Sequence, residues 1–252
     1  MTYCLAIRID DGLVALADGR VTSGNQLGTA RKLTLHGNTE HRFFVAASGL
    51  RSLRDKTVTF LDRELARLPG GVFPTMFDTV EAFARHLRHV AEQDKAALTA
   101  SELDFNLHAL VGGMLAEDDR PHAYLVYPEG NWIEVDERSC YLTIGSVPYG
   151  KPVLDRALRH DTDLRTALKL AYLSFDSTRA SAVDVGFPID VATFSISDRR
   201  WREAQYDYDD VREQRTWWND GITKLARAMP DEPFADRLLP PNLSLVSGRG
   251  SG

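Results

Sequence analysis

Thr2 would carry both halves of a proton-transfer pair at the start of a chain. Its hydroxyl can attack a carbonyl, and an α-amine on the same residue can take the hydroxyl's proton. The threonine follows Met1 directly, and a small residue in second place makes trimming of the methionine the expected processing. A free α-amine titrates at about 7.7–8.0, close to usable as a base near neutral pH. The strand behind Thr2 gives the position weight. Tyr3-Cys4-Leu5-Ala6-Ile7-Arg8-Ile9, the Asp10-Asp11-Gly12 turn and the run Leu13 to Asp18 read as a β-hairpin. Chain ends are normally frayed and polar. An apolar strand this early therefore sets Thr2 at the start of a rigid sheet rather than in a loose tail.

Further residues with chemistry follow in a definite order. Asp18 ends the second strand, and Arg31-Lys32-Leu33 comes after a small-residue loop running from Thr22 to Ala30. Phe43-Phe44-Val45-Ala46-Ala47 runs into Ser48-Gly49, and Leu50 opens a helix. Much later, Ile144-Gly145-Ser146-Val147-Pro148-Tyr149-Gly150 again precedes a helix. This order, from Thr2 to about Ser197, resembles the β-type proteasome subunits and the bacterial protease HslV. The long loop from Gly24 to Lys32 is most similar to HslV. Three features resemble a sister group, the ancestral β-subunit (Anbu) family. They are the threonine with no propeptide before it, a long tail, and Phe175-Asp176-Ser177-Thr178 followed by Val185-Gly186-Phe187-Pro188-Ile189-Asp190.

The resemblance implies a threonine-type peptidase or amidohydrolase and gives each residue an expected role. A cation near the α-amine disfavours its protonated form; Lys32 is the candidate cation, and Asp18 the carboxylate that fixes and compensates it. Gly49, between a strand and a helix, would aim its N–H at a developing oxyanion. Ser146 would hydrogen-bond near the amine and relay the proton, although Val147 and Pro148 stand where proteasomes usually continue with glycine. Proteasomes also place an Asp and a Ser three apart before the last core strand. Here Ser181 and Asp184 keep that spacing in reverse order and are candidates for a supporting role. The plainer alternatives stay open: Lys32 as a solvated base beside Arg31, Asp18 and Gly49 as turn residues, Ser181 and Asp184 as loop polar groups.

These residues need a scaffold, and the pattern supplies one. Lys32 to Leu35 and Arg42 to Ala47 read as a second strand pair. Leu50, Leu53, Leu61, Leu65 and Leu68 then mark a helix that Pro69-Gly70-Gly71 stops. Met76, Val80, Phe83, Leu87, Val90 and Ala91 share one face of a longer helix. Strands are expected over Leu107–Leu115, His122–Tyr127, Trp132–Val135 and Tyr141–Ile144, helices near Val153–Leu158 and Leu164–Phe175, and a last core strand over Ile189–Ser195. Paired helices between antiparallel strands argue an α+β layered fold, and the resemblance makes it a four-layer αββα sandwich of the N-terminal-nucleophile type. Residues 1–200 would form this domain. Residues 201–252 would form an arm (strand, amphipathic helix, tail) that holds three of the four tryptophans and binds a neighbouring subunit.

Bulk composition narrows the classes. The 252 residues carry a net charge of −6, with 43% hydrophobic and 26% charged residues, as an ordinary globular domain does. The negative balance argues against nucleic acid as a partner, and no apolar run nears the roughly 18 residues of a membrane helix. Nothing reads as a signal peptide, so the cytoplasm is the expected compartment. Cys4 and Cys140 form no redox or metal motif, His86 and His89 share a helix face without further ligands, and no phosphate or dinucleotide loop occurs. No metal or cofactor is expected. The expected partners are a peptide or amide substrate and copies of the same chain, in a ring or an open helical staircase; no ATPase-docking motif is visible. Two rival readings remain: a scaffold or binding ring with little turnover, and a specialised hydrolase of a small amide.

Overall fold

The computed structural model describes residues 2–23, 26–136, 138–231, 233 and 238. Met1, the tip of the Gly24–Asn25 loop and most of the tail expected after 231 lie outside them.

One antiparallel sheet holds β1 (Tyr3–Ile9), β2 (Gly12–Asp18), β10 (Tyr141–Gly145), β11 (Ile189–Ser195) and β12 (Arg200–Tyr206), in the order β10-β1-β2-β11-β12. The other holds β5 (Leu33–Gly37), β6 (Arg42–Gly49), β7 (Leu107–Gly113), β8 (His122–Val126) and β9 (Trp132–Glu134) in sequence order. A short ribbon of β3 (Arg20–Ser23) and β4 (Gln26–Thr29) stands between β2 and β5 in the chain. Helices α1 (Arg51–Leu65) and α2 (Met76–Ala100) cover one sheet, and α3 (Val147–Ala157) and α4 (Leu164–Ser181) cover the other.

Strand alternation produces the four layers. Every residue of β2 is buried, because both faces of its sheet are covered. Val14 and Leu16 join Leu5, Ile7, Leu154 and Phe175 beneath α3 and α4. Leu13, Ala15 and Ala17 turn the other way, to meet Phe44, Ala46 and Leu110 of the opposite sheet. The small side chains Cys4, Ala6, Ala15, Ala17 and Ala46 on that inner face let two sheets pack closely. The outer core under α1 and α2 is larger, with Phe43, Leu61, Met76, Phe83 and Leu87. This is the expected αββα sandwich.

Several boundaries differ from the sequence reading for identifiable reasons. The segment read as a loop before Arg31 folds back as the β3–β4 ribbon, with Arg20 opposite Thr29. α3 begins at Val147 rather than Val153, because Pro148 sits in the first turn, where a missing N–H costs no helical bond. The helix expected over Leu164–Phe175 continues to Ser181, so Phe175-Asp176-Ser177-Thr178 lies within α4. The strand expected in the arm pairs with β11 along seven residues, from Ile189↔Tyr206 to Ser195↔Arg200. The chain accordingly divides into compact units at 1–210 and 211–252. The second unit contains α5 (Arg212–Ala228), which leaves Trp217 67% and Leu225 70% exposed. Among the described residues, no helix is long and apolar enough to cross a membrane.

Candidate active site

The end of β2 delivers Asp18 to a point where four donors and acceptors converge. Asp18 is fully buried. Its Oδ1 accepts the Tyr3 N–H at 2.9 Å and the Lys32 ammonium at 2.8 Å. The Gly186 N–H approaches Oδ2 at 3.4 Å. Lys32 Nζ also donates to the Arg20 carbonyl at 2.6 Å. Burial pushes the Asp18 carboxyl up from its ordinary range, while the Lys32 charge and these hydrogen bonds pull it back. A buried ion pair holds only when its remaining hydrogen bonds are satisfied, and here the backbone of three separate segments satisfies them.

Thr2 heads β1 beside this pair and is 8% exposed. Its carbonyl accepts the Ser146 N–H at 2.7 Å, so the residue before α3 holds the threonine from the side. Gly145 makes this approach feasible. A Cβ there would lie 1.7 Å from the Thr2 oxygen, and its φ of +89° suits only glycine without strain. Lys32 is positioned by the opposite sheet, because its carbonyl accepts the Ala47 N–H at 3.2 Å. Gly49, two residues further on, ends β6 at φ +127° ahead of α1. Thr2, Asp18, Lys32 and Ser146 thus share one hydrogen-bonded neighbourhood at the junction of the two sheets.

Ser181 and Asp184 occupy a different place. Ser181 is the exposed last residue of α4, and Asp184 is half-buried in the turn that follows. What this turn gives Asp18 is the backbone of Gly186. Arg20 binds the same turn by donating Nη1 to the Val183 carbonyl at 2.7 Å. Further back, Asp190 accepts Gln205 Nε2 at 2.8 Å and lies 3.6 Å from Arg31, whose other nitrogen reaches Glu203 at 2.8 Å. These contacts brace the segment carrying Lys32 against β11 and β12. The Tyr3 amide, the Arg20 carbonyl and the Gly186 amide are all backbone groups, which leave no trace in residue types.

Two sheets face to face between pairs of helices, with Thr2 heading an inner strand, define a proteasome β-subunit-like fold of the N-terminal-nucleophile type. No protein-family model and no curated protein matches the chain. Solved structures do. An Anbu complex from Pseudomonas aeruginosa, described as a helical assembly, is 31% identical, with 93% of this chain and 99% of that chain covered and a TM-score of 0.83. Anbu from Yersinia bercovieri is 28% identical over 90% and 97%, with a TM-score of 0.80. An Anbu mutant from Hyphomicrobium sp. strain MC1 is 29% identical over 91% and 98%, with a TM-score of 0.82. The chain belongs to the Anbu (ancestral β-subunit) family.

Proposed function

We propose that this chain is an N-terminal threonine amidohydrolase that cleaves peptide-type amides as a self-assembled oligomer. The observation that carries the reading is the buried Lys32–Asp18 pair bonded to the amide of residue 3, directly behind Thr2. Once Met1 is removed, the Thr2 Oγ–H attacks the scissile carbonyl carbon and its proton passes to the α-amine. Lys32 keeps that amine deprotonated by charge repulsion, and Asp18 keeps Lys32 in place. The tetrahedral oxygen bonds to the Gly49 N–H. The ammonium then returns its proton to the leaving nitrogen with Ser146 as relay, the C–N bond breaks, and an ester to Thr2 remains. Water hydrolyses the ester by the same steps. Ser181 and Asp184 would support the site through the turn that presents Gly186.

Self-assembly is supported by the helical assembly of the Pseudomonas relative and by α5 here, which exposes Trp217, Ile222 and Leu225, with Met229 exposed just past its end. Large apolar side chains of this kind serve as interface anchors, and a second copy of the chain is the proposed partner. The test is intact mass before and after a β-lactone probe. Loss of Met1 and one label at Thr2 are expected; a retained Met1 would replace this reading with that of a non-catalytic scaffold.

A further inference from the structure

Tyr3 faces away from the chemistry. Side chains alternate along a strand, so Cys4 and Ala6 point between the sheets, whereas Tyr3, Leu5 and Ile7 point under α3 and α4. The Tyr3 ring is fully buried there, yet it carries a hydroxyl that an apolar core does not need. That hydroxyl lies 2.5 Å from Ser174 Oγ on α4, and Ser174 Oγ donates to the Gly150 carbonyl on α3 at 2.8 Å. A serine hydroxyl has one proton to give. Ser174 gives it to Gly150, so Tyr3 must be the donor to Ser174. Burial pushes the phenol's pKa upward, which keeps that proton in place. The result is a directed chain from Tyr3 O–H to Ser174 to the Gly150 carbonyl. Gly150 is what brings the two helices close enough: a Cβ there would stand 2.5 Å from Ser174 O and Oγ and 2.7 Å from Thr178 Oγ1.

The same helix reaches residue 2 by a second route, since the Ser146 N–H at the head of α3 donates to the Thr2 carbonyl. The other end of Tyr3 is fixed as well, its N–H bonded to Asp18. We propose that Tyr3 and Ser174 are positioning residues: they transmit the packing of α3 on α4 to the backbone of Thr2 and hold the nucleophile in register with the Lys32–Asp18 pair. This rests on reading Thr2 as the nucleophile. A fully satisfied buried polar chain specifies one geometry, which an apolar contact of the same area does not.

The test uses the full chain and three variants: Tyr3→Phe, Ser174→Ala and both together. With the β-lactone probe, the labelling rate at saturation should fall about tenfold in each single variant, the upper end of one hydrogen bond's contribution. The half-saturating probe concentration should stay put, and the double variant should be no slower than the singles, as members of one network are not additive. Hydrogen exchange supplies a readout independent of turnover. The Tyr3 and Ser146 amides should exchange about tenfold faster in Tyr3→Phe while the Val14 amide in mid-β2 keeps its rate. Labelling within about twofold of wild type, or exchange that rises equally everywhere or nowhere, overturns the proposal. Wild-type protein that takes no label would sink the nucleophile instead, and exchange alone would then decide the relay.

Discussion

Two regions of this molecule collect ionisable side chains, and they do so in opposite ways. Between α1 and α2 lies a groove of about 470 Å³ lined by Phe60, Arg85, His86, Arg88, His89 and Glu92. At the end of β2 the buried Asp18 carboxylate meets the buried Lys32 ammonium. The groove has more titratable groups, but each meets a partner at the surface. Glu64 takes Arg85 at 2.6 Å and His86 at 2.6 Å, His89 bonds Gln93, and the Phe60 ring stacks on His86. The β2 pair is held by backbone groups from β1, the start of β3 and the turn before β11, none of which can follow if it moves. Enforced burial, rather than the number of charges, makes the β2 pair the candidate site.

The largest effect should come from breaking the buried pair. Lys32→Ala leaves Asp18 charged, buried and uncompensated, a loss of about 3–5 kcal/mol in such settings, readable in urea melts. The same substitution lets the α-amine bind its proton more tightly. Hydrolysis should fall by about 10²–10⁴-fold, the range for general-base contributions, and the acidic limb of the pH–rate profile should move to higher pH. Asp18→Asn removes the charge but keeps the shape, so Lys32 shifts without being lost. Its rate should drop in the same direction by less than that of Lys32→Ala. Near-wild-type rates in both variants would mean that the pair is structural only.

The groove should respond weakly. Arg85→Ala removes an exposed pair, for which about 0–1 kcal/mol is typical, and hydrolysis should be unchanged. Its pH behaviour has a definite sign. Burial alone would raise the pKa of Glu64, but hydrogen bonds from Arg85 and His86 outweigh it and hold the carboxyl below its ordinary range. A carboxylate depressed by folding contributes stability above its unfolded pKa of about 4.3 and loses it as pH falls through the folded value. Glu64→Gln should therefore be slightly less stable than wild type at pH 7, with the gap closing below about pH 4. A gap that persists in acid would assign Glu64's effect to packing.

The same line divides what residue types and spacing reveal from what they do not. Apolar runs and turn chemistry mark β1, β2, β6 and β11, because strands covered on both faces carry few polar side chains. Residue type and order also named Thr2, Asp18, Lys32 and Ser146, which the fold does bring together. What stayed hidden was whatever depends on pairing between distant segments. The β3–β4 ribbon lacks an apolar pattern, and β12 reads as an arm strand until β11 is seen beside it. In the sequence Ser174 is one more helix residue; only the packing of α4 on β1 makes it a partner for Tyr3. Spacing alone points to Ser181 and Asp184, whereas the turn meets Asp18 through a glycine amide.

The proposed mechanism depends on Thr2, freed of Met1, acting as a nucleophile made ready by the buried pair. Peptide mapping of the β-lactone-treated full chain tests it most directly, with Thr2→Ala alongside. One adduct per chain is expected, on the peptide that begins with Thr2, and none in Thr2→Ala. An adduct that survives in Thr2→Ala, on Cys4 or elsewhere, or a wild-type chain that keeps Met1 and takes no label, would contradict it.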